Sequence, residues 1–451
     1  MRRDGRGIRA SPLGPAVVSS TAMNTSPAPT FRLWLMMVFE FAIWGAWLPL
    51  IWGYMGAAVA DGGLGFTGTE IAWVGSAFAI ASILGIFFSS QFADRTFAAE
   101  RFMAVSHLVG GLAMLGMYWV RDFRSFFSLM LVHAIVYVPT ISVANSIAFT
   151  HMKNAQKEFG LVRMGGTIGW ILAAWPLYFV LQGKTGAEAM AASRAIFLVS
   201  GLISLVLAAY SLTLPHTPPK QSEPGAGSIA WLKATGFLSY PYLLVLFIVT
   251  FIDAVIHNGY FVLAGNFLAS KTVGIKPEWI MPVMSIGQVA EIATMAVLGG
   301  VLARLGWKTT MILGILGHAA RFAVFALMPQ NQAVIIAVQV LHGICYAFFF
   351  ATLYIFIDAA FPKDVRASAQ SLFNLLVLGL GDLAAKWLFI PLQARLTAAD
   401  GTVDYRQLFL VPTFMALAAA AVLLVAFWPP KWLASGSEVE DDRETEPQIV
   451  A

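Results

Sequence analysis

Residues 242–267 read YLLVLFIVTFIDAVIHNGYFVLAGNF. A bilayer core about 30 Å thick asks for about 20 predominantly apolar residues in one helix. This stretch supplies them, with Asp253 as its one formally charged side chain. A carboxyl, the imidazole of His257 and the amide of Asn258 are costly inside such a run unless they face protein or a water-filled cavity. The stretch that declares a membrane span therefore also declares a polar interior.

Runs of the same kind flank it. They cover 33–55, 71–89, 103–120, 126–147, 164–181 and 195–214 before it, and 280–302, 310–328, 333–361, 369–390 and 409–428 after it. The expected fold is an all-α polytopic membrane protein with about 12 transmembrane helices. Pro215 to Ser239, rich in Pro, Gly, Ser and Lys, is the longest polar interruption and separates two groups of six runs. The expected organisation is a disordered tail over 1–30, a six-helix bundle over 31–214, a linker over 215–239, a second six-helix bundle over 240–430 and an acidic tail over 431–451.

Composition agrees, since 59% of the residues are hydrophobic and 12% are charged. A soluble domain carries about 25% charge, so this chain has too little polar surface to cover itself in water and membrane lipid is its expected surround. The net charge of +4 would suit nucleic acid only if Lys and Arg gathered on one surface, and they are scattered between apolar runs. No nucleic-acid partner is expected. The single cysteine, Cys345, lies in an apolar run, which excludes an intrachain disulfide or a cysteine metal site, and no metal or cofactor is expected.

The basic residues sort by side. With the N-terminus inside, Arg2, Arg3, Arg6, Arg9, Arg32, Arg101, Lys153, Arg163, Lys220, Lys308, Lys363 and Lys431 are among those on cytoplasmic flanks, whereas Arg121, Arg124, Lys184, Lys271 and Arg406 fall on the other side. The full asymmetry is about twofold in the direction of the positive-inside rule, so both termini are expected in the cytoplasm. The first thirty or so residues lack the apolar core of a cleavable signal peptide.

Two loops occupy equivalent places in the two halves. Gln91-Phe92-Ala93-Asp94-Arg95 follows the second run, and Gly300 to Lys308, with Arg304 at its centre, follows the eighth. Both resemble, in degraded form, the Gly-x-x-x-Asp-Arg-x-Gly-Arg-Arg loop of the major facilitator superfamily. That resemblance implies two bundles rocking about a site at the membrane midplane, with Asp94, Arg95 and Arg304 as gating residues. An ordinary interfacial ion pair is the plainer reading of Asp94 and Arg95.

Closer strings narrow the likeness. They are Phe39 to Trp47; Tyr137, Pro139, Thr140 and Asn145; Arg163 to Trp170; Met284 to Glu291; His342 to Tyr346; and Val365 to Gln370. Together, and in this order, they resemble the bacterial nucleoside:proton symporter family over about 31–428. The resemblance implies a multi-pass protein of the bacterial inner membrane that imports nucleosides with protons by alternating access, and that is expected to be a monomer and not an enzyme.

Spacing gives a reading of the same residues that does not depend on the likeness. Arg163, Thr167 and Trp170 stand at i, i+4 and i+7 and share one helix face, as do Gln288 with Glu291, His342 with Tyr346, and Asn258 with Phe261. A nucleoside offers a flat base for stacking and ribose hydroxyls for amide and carboxylate partners. Trp170, Phe261 and Tyr346 suit the first task, Asn258 and Gln288 the polar edges, and Glu291 the ribose. In the family, the positions matching these nine residues line the substrate cavity. Each also has a plainer reading: snorkelling for Arg163, a back-bond for Thr167, helix packing for the aromatics, interhelical glue for Asn258 and Gln288, and a neutral core role for His342.

Proton coupling needs an acid that titrates as the cavity changes from wet to dry. Mid-span candidates are Glu40, Asp253, Glu291, Asp358 and Asp382, with Arg321 and Lys386 as counter-charges, the Asp382 and Lys386 pair being explained locally by its i, i+4 spacing. Some family members depend on an aspartate directly after the Tyr346 position, where this chain has Ala347. Glu291 and Glu40 are the expected proton carriers in its place. Two rivals stay open: a carrier of this fold for a sugar or drug, and a polytopic membrane enzyme. Against the second, no loop carries a His-x-x-x-His, a Gly-x-Ser-x-Gly or a Walker motif.

Overall fold

Backbone amides in a hydrocarbon core have no water to bond, so each span must satisfy its own backbone as a helix. The computed structural model describes residues 28–152, 155–219, 235–361 and 365–430, with the side chains of 28, 29, 86–96, 155–157 and 367 left outside the description. The expected terminal tails and most of the expected linker fall outside these residues.

In the first group of spans, α1 is Ala28–Gly56, α2 Gly68–Thr96, α3 Ala99–Met117 and α4 Phe123–His151. The fifth span is α5 Ala155–Leu172 running into α6 Ala174–Leu181, and the sixth is a short α7 Gly186–Ala192 followed by α8 Ala195–Ser211. In the second group come α9 Pro241–Ala269 and α10 Ile280–Leu327. The tenth span joins α11 Gln332–Ala337, α12 Val340–Cys345, a π-helical turn Tyr346–Ala351 and α13 Thr352–Ala360. The eleventh joins α14 Arg366–Asn374, a second π-helical turn Leu375–Leu380 and α15 Gly381–Arg395, and α16 Tyr405–Ala426 is the last.

Ten of these runs are long and apolar enough to cross a membrane. Among the described residues the crossings come to twelve, because α10 is two spans and α3 adds another. α10 is broken at Gly306, where φ 69 and ψ 174 turn the chain back. Glycine takes that left-handed conformation without a Cβ clash, so the expected loop after the eighth run contracts to a one-residue corner. α3 is less apolar because Glu100, Arg101, Ser106 and His107 lie on it, and it is wedged between α4 and α8. With an even number of crossings the described chain starts and ends on one face of the membrane, here the terminal face.

Four of the helices that begin on the opposite face are fastened by their own side chains. Thr67 and Glu70 form a reciprocal capping box on α2, Asp122 accepts from Ser125 N at 2.9 Å on α4, Asn331 accepts from Val334 N on α11, and Asp404 accepts from Gln407 N at 2.9 Å on α16. Each cap satisfies an amide that the helix itself leaves unpaired. The two groups of spans also meet on that face. Trp387 Nε1 donates to Ser76 Oγ at 3.0 Å, the Trp73 and Trp387 rings meet edge-on at 5.4 Å, and Tyr178 meets Trp279 at 5.1 Å. Gly265 lies so close to the Pro49 carbonyl that a Cβ there would overlap it.

Within the groups, lipid gives no hydrophobic reason for helices to associate, so close packing of small residues does much of the holding. The α1–α5 contact runs along Gly165 and Gly169, and a Cβ on Gly169 would fall on the Val38 carbonyl. Gly169→Ala is expected to destabilise the protein by about 1–3 kcal/mol through overpacking. Gly299, on α10 with nothing within 4 Å of its would-be Cβ, is the control, and Gly299→Ala should match or slightly raise the parental melting temperature in detergent. Equal melting temperatures for the two variants would remove the α1–α5 contact from the account.

Candidate functional site

The faces read from spacing converge. A cavity of about 580 Å³ lies between the two groups of spans. Arg163, Thr167 and Trp170 of α5 line it from the first group. Asn258 and Phe261 of α9, Gln288 and Glu291 of α10, His342 of α12 and Tyr346 at the start of the first π turn line it from the second. It extends towards the terminal face past Asn145, Phe149, Phe159 and Gln370.

Its aromatic content forms a continuous wall. Trp170 meets Trp44 edge-on at 5.7 Å and Phe261 at 5.6 Å, so the rings span the seam between the groups. Trp44 in turn stacks on Phe78 at 4.9 Å. Across from them His257 and His342 stack at 5.0 Å with 21° between their planes, and Tyr346 lies 6.0 Å from His257. The Arg163 guanidinium sits 4.1 Å over the Phe41 ring, a cation–π contact that holds its charge at the cavity wall rather than out at the interface.

Polar groups are set between the rings. Thr167 Oγ1 donates to Glu291 Oε1 at 3.5 Å, a long hydrogen bond that crosses the seam. Asn258 gives its Nδ2 hydrogens to the carbonyls of Ala254 at 2.9 Å and Val377 at 3.0 Å. The second acceptor belongs to a π turn, whose wider winding frees carbonyls that an α-helix would bond internally. The amide is thereby fixed with its oxygen as the remaining acceptor. Gln288 is buried, and its Oε1 has no hydrogen-bond partner. A buried acceptor left unpaired is a standing cost that a bound donor relieves.

The wall holds residues that the sequence reading did not place there. Asp382 and Lys386 form the expected i, i+4 ion pair, but the pair lies in the cavity, with Lys386 Nζ 5.7 Å from the centre of the Trp52 ring. Tyr354 OH donates to Asn374 Oδ1 at 2.6 Å, also at the cavity wall. The signal was present as a four-residue period along Gln370, Asn374, Asp382 and Lys386. On a plain α-helix that period drifts around the axis; the π turn at Leu375–Leu380 brings it back to one face.

Glu40 is elsewhere. It is fully buried behind Phe41, where His107 Nε2 lies 2.9 Å from Oε2 and Thr140 Oγ1 donates to Oε1 at 2.7 Å. Tyr137 OH donates to its backbone carbonyl at 2.6 Å. It is not part of the cavity lining. Ala347 is also fully buried, and its carbonyl accepts from Thr352. Asp358 pairs with Arg366 at 3.4 Å on an exposed helix end. Arg304 is exposed beside the Gly306 corner, whereas the side chains of Asp94 and Arg95 lie outside the described residues.

Comparison with known proteins bears on what this cavity serves. A sequence profile described as the nucleoside H+ symporter family matches residues 27–431. The putative nucleoside transporter YegT of Escherichia coli (strain K12) is 31% identical over 359 residues, covering 78% of this chain and 82% of that protein. The xanthosine permease of the same organism is 26% identical over 411 residues, covering 88% and 95%. The crystal structure of the nucleoside transporter NupG superposes with a TM-score of 0.77 at 22% identity, over 89% of this chain and 100% of that one. At that identity the superposition establishes the fold, that of the major facilitator superfamily with its two six-helix bundles.

The position of Glu40 has its own consequence. Removing one partner of a buried pair strands the other, so Glu40→Ala is expected to cost about 3 kcal/mol of stability, and Thr140→Val about 1 kcal/mol. Thermal unfolding of the detergent-solubilised protein reads both, and an unchanged melting temperature in Glu40→Ala would show that the carboxylate holds nothing together.

Proposed function

The chain belongs to the nucleoside H+ symporter family, and from that premise we propose that it carries nucleosides together with protons through the cavity between its two bundles. It is a multi-pass membrane transporter. The finer reading is a monomer in the bacterial inner membrane with the terminal face, and so both termini, in the cytoplasm. The bundles are 31–214 and 240–430, joined by the 215–239 linker. On that orientation the described conformation faces inward, its far side shut by the Trp387–Ser76 contact and its cavity running towards the cytoplasm.

One observation supports this most directly: a carboxylate, Glu291, stands in an aromatic cavity and is hydrogen-bonded across the seam by Thr167 of the other bundle. A cavity of this size lies within the range that encloses small organic ligands, about 300–1,000 Å³. Trp170, Phe261 and Tyr346 offer faces to a base. The oxygens of Asn258 and Gln288 accept from its polar edge, Glu291 accepts from ribose hydroxyls, and Arg163 and His342 supply donors. Protonation of Glu291 removes its charge and weakens its hold on Thr167, so proton and substrate act on the same inter-bundle contact. Of the two expected carriers, Glu291 is at the cavity, whereas Glu40 is placed to act only through its own bundle.

Two variants test the reading in proteoliposomes with labelled nucleosides. Glu291→Gln is expected to keep nucleoside exchange between the two sides yet lose accumulation driven by an imposed pH gradient; full accumulation would overturn the assignment.

Trp170→Ala removes a stacking face worth about 1–3 kcal/mol per base and should weaken nucleoside affinity by about tenfold or more. Competition by sugars instead of nucleosides would favour a carrier for another solute.

A further inference from the structure

Behind the cavity wall of the second bundle lies a buried cluster that meets the transport site only through His342. Arg321, on the part of α10 after Gly306, is fully buried. Its Nη1 is 2.7 Å from His342 Nδ1 and its Nη2 is 3.1 Å from His318 Nδ1. The guanidinium also lies 4.0 Å over the Tyr260 ring, and Tyr260 OH is tied by a 2.8 Å hydrogen bond to Gln339 Oε1. Beyond His318, whose Nε2 is 3.7 Å from Asp253 Oδ2, sits the nearest carboxylate of the cluster, and it is fully buried too.

The chemistry of these partners leaves one assignment. A guanidinium has only N–H donors and keeps its proton in proteins. Each histidine nitrogen facing Arg321 must therefore be an acceptor, which places the hydrogen of a neutral ring on Nε2. For His318 this aims an N–H at Asp253, which balances the Arg321 charge through the ring. For His342, which lines the cavity, it leaves Nε2–H as the ring's donor. Protonating His342 would set an N–H⁺ against the guanidinium at hydrogen-bond distance, losing the bond and opposing two like charges.

The other groups packed around His342 do not offset this. α9 presents His257, stacked at 5.0 Å, and Tyr260 at 4.6 Å. The first part of α10 approaches through Gly287, with Glu291 one turn further on beside Gly343. The second part presents Arg321 and His318, and His342's own helix carries Cys345. Asp253 is held beyond His318 rather than against His342.

We propose that Arg321 is a positioning residue of the transport site: it holds His342 as a permanently neutral Nε2–H donor, so that the ligand atom received there is a hydrogen-bond acceptor and this part of the wall does not titrate during the proton cycle. Glu291, the carboxylate bonded across the seam, then acts beside a histidine whose charge does not change. Only the identity of the ligand rests on the nucleoside reading.

The test begins with the unmodified full-length protein in lipid bilayers, labelled with ¹⁵N histidine and observed by solid-state NMR, with His342 assigned by the signal lost in His342→Gln. The expected spectrum has an unprotonated Nδ1 and a protonated Nε2, unchanged from about pH 8 to about pH 5.5. A protonated Nδ1, or a ring that takes up a second proton in that range, overturns the proposal. In Arg321→Met, His342 should become titratable. Inosine binding should then weaken on acidification by about tenfold more than in the parent, and this extra step should vanish in Arg321→Met/His342→Gln. Identical pH profiles for parent and Arg321→Met also overturn it. The parental spectrum decides the matter by itself if Arg321→Met does not fold. A spectrum as expected with no nucleoside binding sinks the transport reading and leaves the lock standing; nucleoside transport with the wrong tautomer does the reverse.

Discussion

No lipid tail accepts or donates a hydrogen bond, and that constraint orders the rest of this molecule. Every polar side chain carried into a span must find protein or water. The result is a division of labour among buried polar groups. Some are spent inside a bundle, as Glu40 is on His107 and Thr140. Others are turned to the cavity, as Glu291 and Gln288 are. The apolar remainder faces lipid, which is why large hydrophobic side chains such as Phe179, Val425 and Trp428 stand exposed on the outer surface.

The two bundles repeat this arrangement. Glu40 comes twelve residues after Ala28 at the start of α1, and Asp253 twelve residues after Pro241 at the start of α9. Each acid faces a histidine from the third span of its own bundle, His107 at 2.9 Å in one and His318 at 3.7 Å in the other. The copies have diverged in what lies next to them. The first is closed off by Thr140 and Tyr137, whereas the second continues through Arg321 to His342 at the cavity.

What could be read from the sequence follows from how local each signal is. The spans were legible because hydrophobic length is a property of a single stretch, and only the corner at Gly306 replaced an expected loop. The faces Arg163–Thr167–Trp170 and Gln288–Glu291 were legible because three- and four-residue spacing fixes a shared side of one helix. The direction of Glu40 was not, since α1 is apolar nearly all round and nothing in its own sequence says which side meets the cavity. Asp382 and Lys386 were legible as a pair and not as wall residues, because their direction depends on a change of helical winding several residues earlier. The chain of contacts through Arg321 joins three spans distant in sequence and left no local mark.

Those changes of winding have a mechanical side. The two π turns lie on neighbouring spans of the second bundle, and the described spans of the first contain none. Each π turn trades the tight hydrogen-bond ladder of an α-helix for a looser one, so the second bundle gains two compliant links, whereas the first bends at Pro49 and Pro139 and at the breaks after Leu172 and Ala192. Tyr346 opens one link and Asn374 immediately precedes the other, and both touch the cavity. A solute filling the cavity would therefore press on the second bundle beside both turns. Among the described spans the two halves are thus unlike in winding where they meet the cavity, for the second alone borders it with π turns.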